Sequence, residues 1–293
     1  MQVQADETFV PGISPQVYGK KDFQRICDML RAEAGIVLND KKRMLAYSRI
    51  APLVRESGLQ TFEDYLDLLA TDRAEHAKTI ASLTTNHTYF NREAHHFDHF
   101  NAEVRGDLIA RANARDPVRI WSAGCSSGEE IYTLMMVLLG MDKRHGQAIA
   151  RKGGIVVLAS DLAEHAVNAA QRALYPEEAL SKVPEKLREN WCEKTEEDGA
   201  PMLAISSHIT NMLRYRQLNL LRPWPFSAQF DVIFCRNVMI YFDGPTKDAL
   251  LVNFARQLKP GGYLYIGHSE RVSGEASGLL EPVGSTIYRR NAA

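Results

Sequence analysis

The feature that most constrains the fold is an alternation of strand-like and helical segments in the second part of the chain. Short runs rich in β-branched and aromatic residues cover residues 119–124, 154–161, 230–237 and 262–267, and helical patterns over 128–139, 163–174 and 245–258 separate them. Strands that alternate with helices form parallel sheets covered on both faces. A final run, residues 283–290, follows without a helix, so we expect it to be antiparallel.

The segment before this alternation has a different pattern. Between residues 18 and 84, apolar residues recur at helical spacing, as at Phe23, Cys27 and Leu30, and strand-like alternation is absent. This segment is expected to be all-helical. Candidate helix termini are Gly35 at the end of the first helix, Asn39 or Asp40 at the start of the second, and Thr61 at the start of the third.

These patterns predict two domains. A helical domain covers residues 18–84, a polar linker covers 85–92, and an α/β domain covers 93–293, opening with a helix over about 93–112. Between its second and third strands lies an insertion at about 176–216. The runs 203–205 and 212–215 within it suit a small antiparallel hairpin or subdomain.

Composition excludes several classes of protein. The chain has 35 Lys+Arg and 36 Asp+Glu, a net charge of −1, which argues against a surface built for nucleic acid. No apolar run approaches the roughly 18 residues of a membrane span, and no secretory signal is visible, so we expect a cytoplasmic protein without membrane insertion. The cysteines are widely separated, and no metal site is expected. Nothing in the sequence requires more than a monomer.

Candidate binding residues follow the first two strands of the α/β domain. Gly124 and Gly128 flank a turn where open α/β sheets bind nucleotides, although a tight strand-to-helix turn explains them equally well. Asp161 could accept hydrogen bonds from ribose hydroxyls or cap the next helix, and these roles are compatible. Glu129 and Glu130 would repel a pyrophosphate and attract a cation. S-adenosylmethionine therefore fits this loop better than NAD.

Four motifs in this order resemble the chemotaxis receptor methyltransferases (CheR type). They are residues 83–97, then Trp121–Ala123 with Ser127–Glu130, then Ala159–Asp161, and finally Phe234–Phe242, and the resemblance covers about residues 20–290. It implies a Rossmann-like sheet with an inserted antiparallel β subdomain and an N-terminal all-α domain. The implied activity is methyl transfer from S-adenosylmethionine to glutamate side chains on the cytoplasmic helices of chemoreceptors, with S-adenosylhomocysteine as product.

The resemblance also implies roles for individual residues. Arg92 and Tyr241 would lie nearest the transferred methyl group; apart from the resemblance, a surface arginine and a core aromatic would explain them better. Residues 41–55 of the helical domain contain five basic residues and no acidic one, and we call them the basic run. The resemblance implies that this run faces the acidic receptor helices, although a solvated helix face explains it as well. The implied cofactor residues are Asn86, Thr88, Arg92, Glu130, Asp161, Asn219, Leu220, Arg236 and Asn237, and the implied substrate-binding residues are Lys42, Arg43, Arg49 and Arg55.

The chemistry needs no catalytic base, because a glutamate with a pKa of about 4.3 is already ionised at pH 7. In some members of the family the β subdomain captures a pentapeptide tether through a Gly-x-Gly loop. The corresponding stretch here, residues 196–201, contains a single glycine, which argues against tethering. The alternatives are an S-adenosylmethionine-binding regulatory module without turnover, and an RNA or small-molecule methyltransferase. The absence of an Asn/Asp-Pro-Pro-Tyr motif after the third strand disfavours a neutral amine substrate.

Overall fold

A computed structural model of the protein describes residue 10 and residues 12–14, 16–84 and 87–292. Their contacts divide the chain into two compact units. The helical unit holds the described residues up to 84 together with Tyr241–Asp243, and the α/β unit holds residues 87–240 and 244–292. Within these described segments, no helix is both long and apolar enough to span a bilayer.

The helical unit contains α1 (Lys20–Ala34), α2 (Arg43–Glu56), α3 (Phe62–Leu68) and α4 (Arg73–Leu83). Its core is formed by the apolar faces of these helices, because residues at helical spacing lie on one side of each helix. The rings of Tyr18 and Phe62 lie 4.5 Å apart at its centre. Fully buried members of this core are Tyr18, Ile26, Leu30, Ile50, Phe62 and Tyr65.

Two of the three predicted helix termini are confirmed. Gly35 follows α1 with a φ of 67°, and the Thr61 hydroxyl accepts a hydrogen bond from the Asp64 N–H at 3.2 Å. The prediction that Asn39 or Asp40 caps α2 is wrong. A 3₁₀ turn over Asp40–Lys42 runs directly into α2, and the Asn39 and Asp40 carbonyls accept the N–H groups that a capping side chain would otherwise bind.

The α/β unit is built around a seven-stranded sheet. The strands of this unit are β1 (Val118–Ala123), β2 (Ile155–Asp161), β3 (Leu174–Pro176), β4 (Cys192–Glu197), β5 (Ala200–Ile205), β6 (Leu213–Gln217), β7 (Phe230–Cys235), β8 (Leu258–Ile266), β9 (Leu280–Gly284) and β10 (Ile287–Arg290). The strand order in the large sheet is β6-β2-β1-β7-β8-β10-β9. Neighbours from β6 to β8 are parallel, whereas β10 is antiparallel to both β8 and β9. The predicted parallel sheet is confirmed, and the last run forms two antiparallel strands instead of one.

Helices cover both faces of this sheet. They are α5 (His95–His99), α6 (Arg105–Asn113), α7 (Glu129–Leu139), α8 (Lys143–Lys152), α9 (Glu164–Arg172), α10 (Glu185–Trp191), α11 (Ser207–Thr210) and α12 (Gly244–Gln257). The apolar α7 is buried along nearly its whole length. The helix expected over about 93–112 is interrupted by a π-helical turn at Phe100–Val104. The sequence patterns do not predict α8, α10 or α11.

A second, three-stranded antiparallel sheet has the order β3-β5-β4. The predicted small antiparallel subdomain is therefore present, but the assignment of residues 212–215 to its hairpin is wrong. Those residues belong to β6, which pairs in parallel with β2, with Leu213 opposite Val157. Leu213 and Tyr215 alternate with arginines. This alternation is typical of a hairpin strand, but an edge strand of the large sheet has the same pattern.

Candidate cofactor and active site

The loop after β1 uses its backbone N–H groups within the protein. The N–H groups of Gly124 and Cys125 both donate to the Ser160 carbonyl, at 2.8 and 2.9 Å. The Ser126 N–H donates to Asp161 Oδ2 at 2.9 Å, and the Gly128 N–H donates to the Cys125 carbonyl at 3.0 Å. Phosphate-binding loops need such groups directed at the ligand. Since these four are already bonded, the loop is poorly suited to a pyrophosphate.

The glycines of this loop are required by packing as well as by backbone conformation. Gly124 has a φ of 85°, and a Cβ there would lie 2.4 Å from a methyl group of Val238. Gly128 has a φ of 101°, and its Cβ would lie 2.8 Å from the Tyr175 hydroxyl. Both glycines therefore allow close contact with other parts of the α/β unit, a reason for glycine besides the ligand and the tight turn that the sequence suggests.

Asp161 joins this loop to the start of α9. Its Oδ2 accepts from Ser126, and its Oδ1 accepts from the Ala163 N–H at 3.0 Å. The side chain is buried, with 8% of its surface exposed, and burial raises the pKa of Asp161 while the backbone N–H groups act in the opposite direction. Each carboxylate oxygen has a second lone pair, so these bonds leave room for a ribose hydroxyl donor.

Three charged side chains form a cluster at the carboxyl edge of the sheet. We call Glu93, Glu130 and Arg236 the carboxylate cluster. Arg236 is 2% exposed and lies 3.3 Å from Glu93 Oε2 and 3.4 Å from Glu130 Oε2. It also donates to the backbone carbonyl of Arg92. Glu130 Oε1 accepts a further bond from the Ser122 hydroxyl at 2.7 Å.

The charge of this cluster suits a cationic ligand. Within the cluster itself one guanidinium faces two carboxylates, so its three side chains carry a formal charge of −1 when both carboxylates are ionised. Burial raises the pKa of Glu130, and Arg236 opposes this shift. Burial would also raise the pKa of Glu93, but Arg236 and His268 outweigh it and lower that pKa to about 2. These residues fit the ammonium and sulfonium charges of S-adenosylmethionine better than the phosphates of a dinucleotide.

The carboxyl ends of β7 and β8 complete this edge. The Gly267 and Asn237 N–H groups both donate to Glu270 Oε2, at 2.5 and 3.3 Å. Burial raises the pKa of Glu270, which these backbone donors counteract. Sequence reasoning missed Glu93, His268 and Glu270, although the first lies beside the predicted Arg92.

Left-handed backbone at non-glycine residues marks the same region. It occurs at Asn91, Glu93, Ser126 and Asn237, with φ values of 57°, 56°, 49° and 59°. Such conformations cost energy and tend to occur at functional sites, where surrounding contacts hold them. The sequence could have suggested this conformation at the two asparagines, which favour positive φ, but not at Glu93 or Ser126.

The other predicted cofactor residues have varied surroundings. Asn86 lies outside the described residues, and Thr88 is partly exposed. Arg92 donates from Nη1 to the His87 carbonyl at 2.9 Å. Asn219 Oδ1 accepts from the Leu221 N–H at 2.9 Å. The Leu220 carbonyl accepts from the Trp224 indole at 3.2 Å.

The predicted residues of the helical unit also differ from one another. Lys42, Arg43 and Arg55 are exposed. Arg49 instead donates from Nη1 to the carbonyls at the end of α4, which are those of Ser82, Leu83 and Thr84, at 3.3, 3.0 and 2.6 Å. Tyr241 belongs to this unit, where its carbonyl accepts from the Val37 N–H at 2.9 Å.

A mostly parallel sheet with this strand order, together with carboxylates where a dinucleotide needs phosphate donors, fits the class of S-adenosylmethionine-dependent methyltransferases, and the match to a SAM binding domain places the chain in that class. Within that class the chain belongs to the CheR methyltransferase family. It matches the family's SAM binding domain over residues 86–289 and its all-alpha domain over residues 21–84.

Curated relatives cover most of the chain. A probable chemotaxis protein methyltransferase of Rhizobium etli is 39% identical over 89% of this chain and 96% of its own length. A chemotaxis protein methyltransferase of Borreliella burgdorferi is 34% identical over 93% of this chain and 95% of its own. The Escherichia coli protein of that name is 37% identical over 86% of this chain and 84% of its own.

Proposed function

We propose that the protein transfers the methyl group of S-adenosylmethionine to glutamate side chains of chemoreceptors and releases S-adenosylhomocysteine. Family membership and the names of the relatives support the reaction class and the receptor substrate. The observation that carries the choice of methyl donor is the loop after β1. Four of its N–H groups, described above, are bonded within the protein, and the neighbouring carboxylate cluster contains two carboxylates and one guanidinium.

The proposed cofactor site extends along the carboxyl edge of the sheet. Glu130 is proposed to bind the methionine ammonium group and Asp161 the ribose, while Asn219 and Leu220 are proposed to bind the adenine. Arg236, which is buried between two carboxylates, is proposed to hold Glu130 and the Arg92 backbone in position. The remaining proposed contacts are those of Asn86, Thr88, Arg92 and Asn237.

S-adenosylmethionine supplies an activated methyl group on a sulfonium, and the receptor carboxylate supplies the electron pair. Because that carboxylate is ionised at pH 7, the protein needs only to align it and exclude water. Arg92 is proposed to orient the incoming carboxylate without pairing so tightly that its nucleophilicity falls. Tyr241 is proposed to donate a hydrogen bond to the same carboxylate.

The proposed partners are the cytoplasmic helices of chemoreceptors, so the reaction would take place in the cytoplasm. Lys42, Arg43 and Arg55 on and before α2 are exposed, as an acidic partner requires. Arg49 is a weaker candidate, since its guanidinium already binds the end of α4.

The first test is transfer of labelled methyl groups into membranes that contain chemoreceptors, measured as label released by mild alkali. We expect base-labile label on the receptor band and its loss with Asp161→Ala. Asp142→Ala is the matched control, because Asp142 Oδ1 likewise accepts a backbone N–H at the start of a helix, from His145 at 3.0 Å. Cofactor binding without label across a panel of receptor fragments would refute turnover and favour a sensor.

A further inference from the structure

The Glu93 carboxylate accepts hydrogen bonds from three other residues, although the sequence predicts no role for it. Its Oε1 accepts from Asn237 Nδ2 at 3.4 Å, from the His268 N–H at 3.3 Å and from His268 Nδ1 at 3.0 Å. Its Oε2 accepts from Arg236 Nε at 3.4 Å. The residue is thus bonded to the ends of β7 and β8 and, through Arg236, to the Arg92 carbonyl.

His268 differs from its partners in exposure. Its side chain is 69% exposed, whereas the Glu93 side chain is 11% exposed and that of Arg236 is 2% exposed. The imidazole is therefore held at one nitrogen by a largely buried carboxylate, and its remainder faces solvent. Because Glu93 stays ionised and can only accept, Nδ1 must carry the proton, and Nε2 is the nitrogen left for another partner.

The incoming substrate group is a carboxylate, yet it must approach a cluster that retains a negative charge. Arg236 is buried and already contacts two carboxylates, and Arg92 donates to the His87 carbonyl. An exposed imidazole at the same edge of the sheet offers a further donor, in addition to the Arg92 guanidinium that is proposed to orient the carboxylate. When protonated, it donates from Nε2 and compensates part of the negative charge that opposes the substrate.

We propose that His268 is a further substrate-binding residue, whose doubly protonated imidazole donates from Nε2 to the receptor carboxylate, and that Glu93 is the positioning residue that orients it. The assignment rests on the proposed function, because it presumes a carboxylate substrate. The arrangement is that of a histidine fixed by an acidic partner at one nitrogen so that the other faces the substrate.

The test uses the full-length protein with receptor membranes and measures the receptor KM, kcat and the Kd for S-adenosylmethionine. His268→Ala is expected to raise the receptor KM about five- to tenfold, since it removes one hydrogen bond to a charged group. The melting temperature and cofactor Kd should not change. His268→Lys, which keeps a positive donor, is expected to retain a KM within about threefold of the wild type.

The matched control is His145→Ala, which removes another exposed histidine of the α/β unit, on α8. Glu93→Gln tests the positioning role. Its effect on the receptor KM should be much smaller in a His268→Ala background than alone, because its effect on substrate binding acts through the imidazole. A receptor KM unchanged by His268→Ala, or a cofactor Kd weakened in parallel with it, would overturn the assignment. Absence of label with the wild-type protein would instead refute the proposed function, and the assignment with it.

Discussion

At the scale of single residues, packing and backbone conformation together require glycine at position 128, in the loop after β1. An alanine Cβ there would lie 2.8 Å from the Tyr175 hydroxyl and 2.9 Å from a ring carbon of Tyr132, at a φ of 101°. Gly128→Ala therefore adds overpacking to backbone strain and is expected to cost about 3 kcal/mol of unfolding free energy. Chemical denaturation of the full-length protein measures this loss.

Gly199 provides the control for that prediction. It also has a positive φ, of 78°, but a Cβ there would meet nothing within 4 Å. Gly199→Ala should lose only the backbone contribution, about 1 kcal/mol. Equal losses for the two variants would show that the contacts with Tyr132 and Tyr175 contribute little.

His96 makes stability depend on pH through its burial. Burial, followed by the charge of Arg236, lowers the pKa of His96 from 6.5 to about 3. Its neutral form is the one that folding favours, so this contribution to stability is present above pH 6.5 and is lost as the pH falls towards 3. The slope is up to about 1.4 kcal/mol per pH unit for one group.

The comparison of His96→Gln with the wild type isolates this contribution. Between pH 7 and 5 the variant should lose less unfolding free energy than the wild type, as measured by denaturant titration at each pH. The depressed pKa of Glu93, about 2 against an ordinary 4.5, acts only at lower pH and does not affect this window. His145→Gln removes an exposed histidine of α8 instead and should follow the wild type, and identical slopes for both variants would contradict the prediction.

At the scale of elements, the strands with the most uniform apolar character were the most predictable. β7 is buried at every position and apolar at all but Asp231, and an apolar run of this kind is typical of a central strand of a parallel sheet. By contrast, β6 alternates apolar and basic residues, and this pattern cannot distinguish an edge strand of the large sheet from a hairpin strand. α8 was missed because polar and charged residues dominate it.

The candidate site was predictable to a similar, limited extent. Asp161 and Glu130 follow directly from strand ends and from the family motifs. The carboxylate cluster could not be predicted as a unit, because Glu93 and Arg236 are 143 positions apart and meet only when the sheet has formed. Glu93 also has left-handed backbone, which local sequence preferences do not predict for a glutamate.

The hairpin of β4 and β5 allows a prediction about receptor tethering. β4 is an edge strand of the small sheet, and its exposed charges are Glu193, Lys194, Glu196 and Glu197, so negative charge is in excess. A peptide that added to this edge would bring its C-terminal carboxylate towards like charges. We expect removal of the last five receptor residues to change kcat/KM less than twofold. A drop of tenfold or more, with a scrambled tail as control, would establish tethering.

At the scale of the whole molecule, the near-zero net charge conceals an uneven distribution. The net charge is −1, yet residues 41–55 contain Lys41, Lys42, Arg43, Arg49 and Arg55 and no acidic residue. Four of these five are exposed, and Arg49 binds the carbonyls that end α4. Mutations of the exposed residues and of Arg49 should therefore have different effects. An exposed charge attracts a partner over a distance and affects receptor binding, whereas the contact of Arg49 with the end of a helix affects the stability of the fold.

The combined change Lys42→Glu with Arg55→Glu should raise the receptor KM about tenfold at low salt and leave the cofactor Kd unchanged. Because the Debye length falls from about 10 Å at 0.1 M salt to about 3 Å at 1 M, the difference from the wild type should shrink as salt is added. Arg49→Gln should instead lower the melting temperature. The control is Lys186→Glu, an exposed charge reversal on α10. If that variant raises the receptor KM equally, or if the effect is independent of salt, the basic run of the helical unit does not attract the receptor.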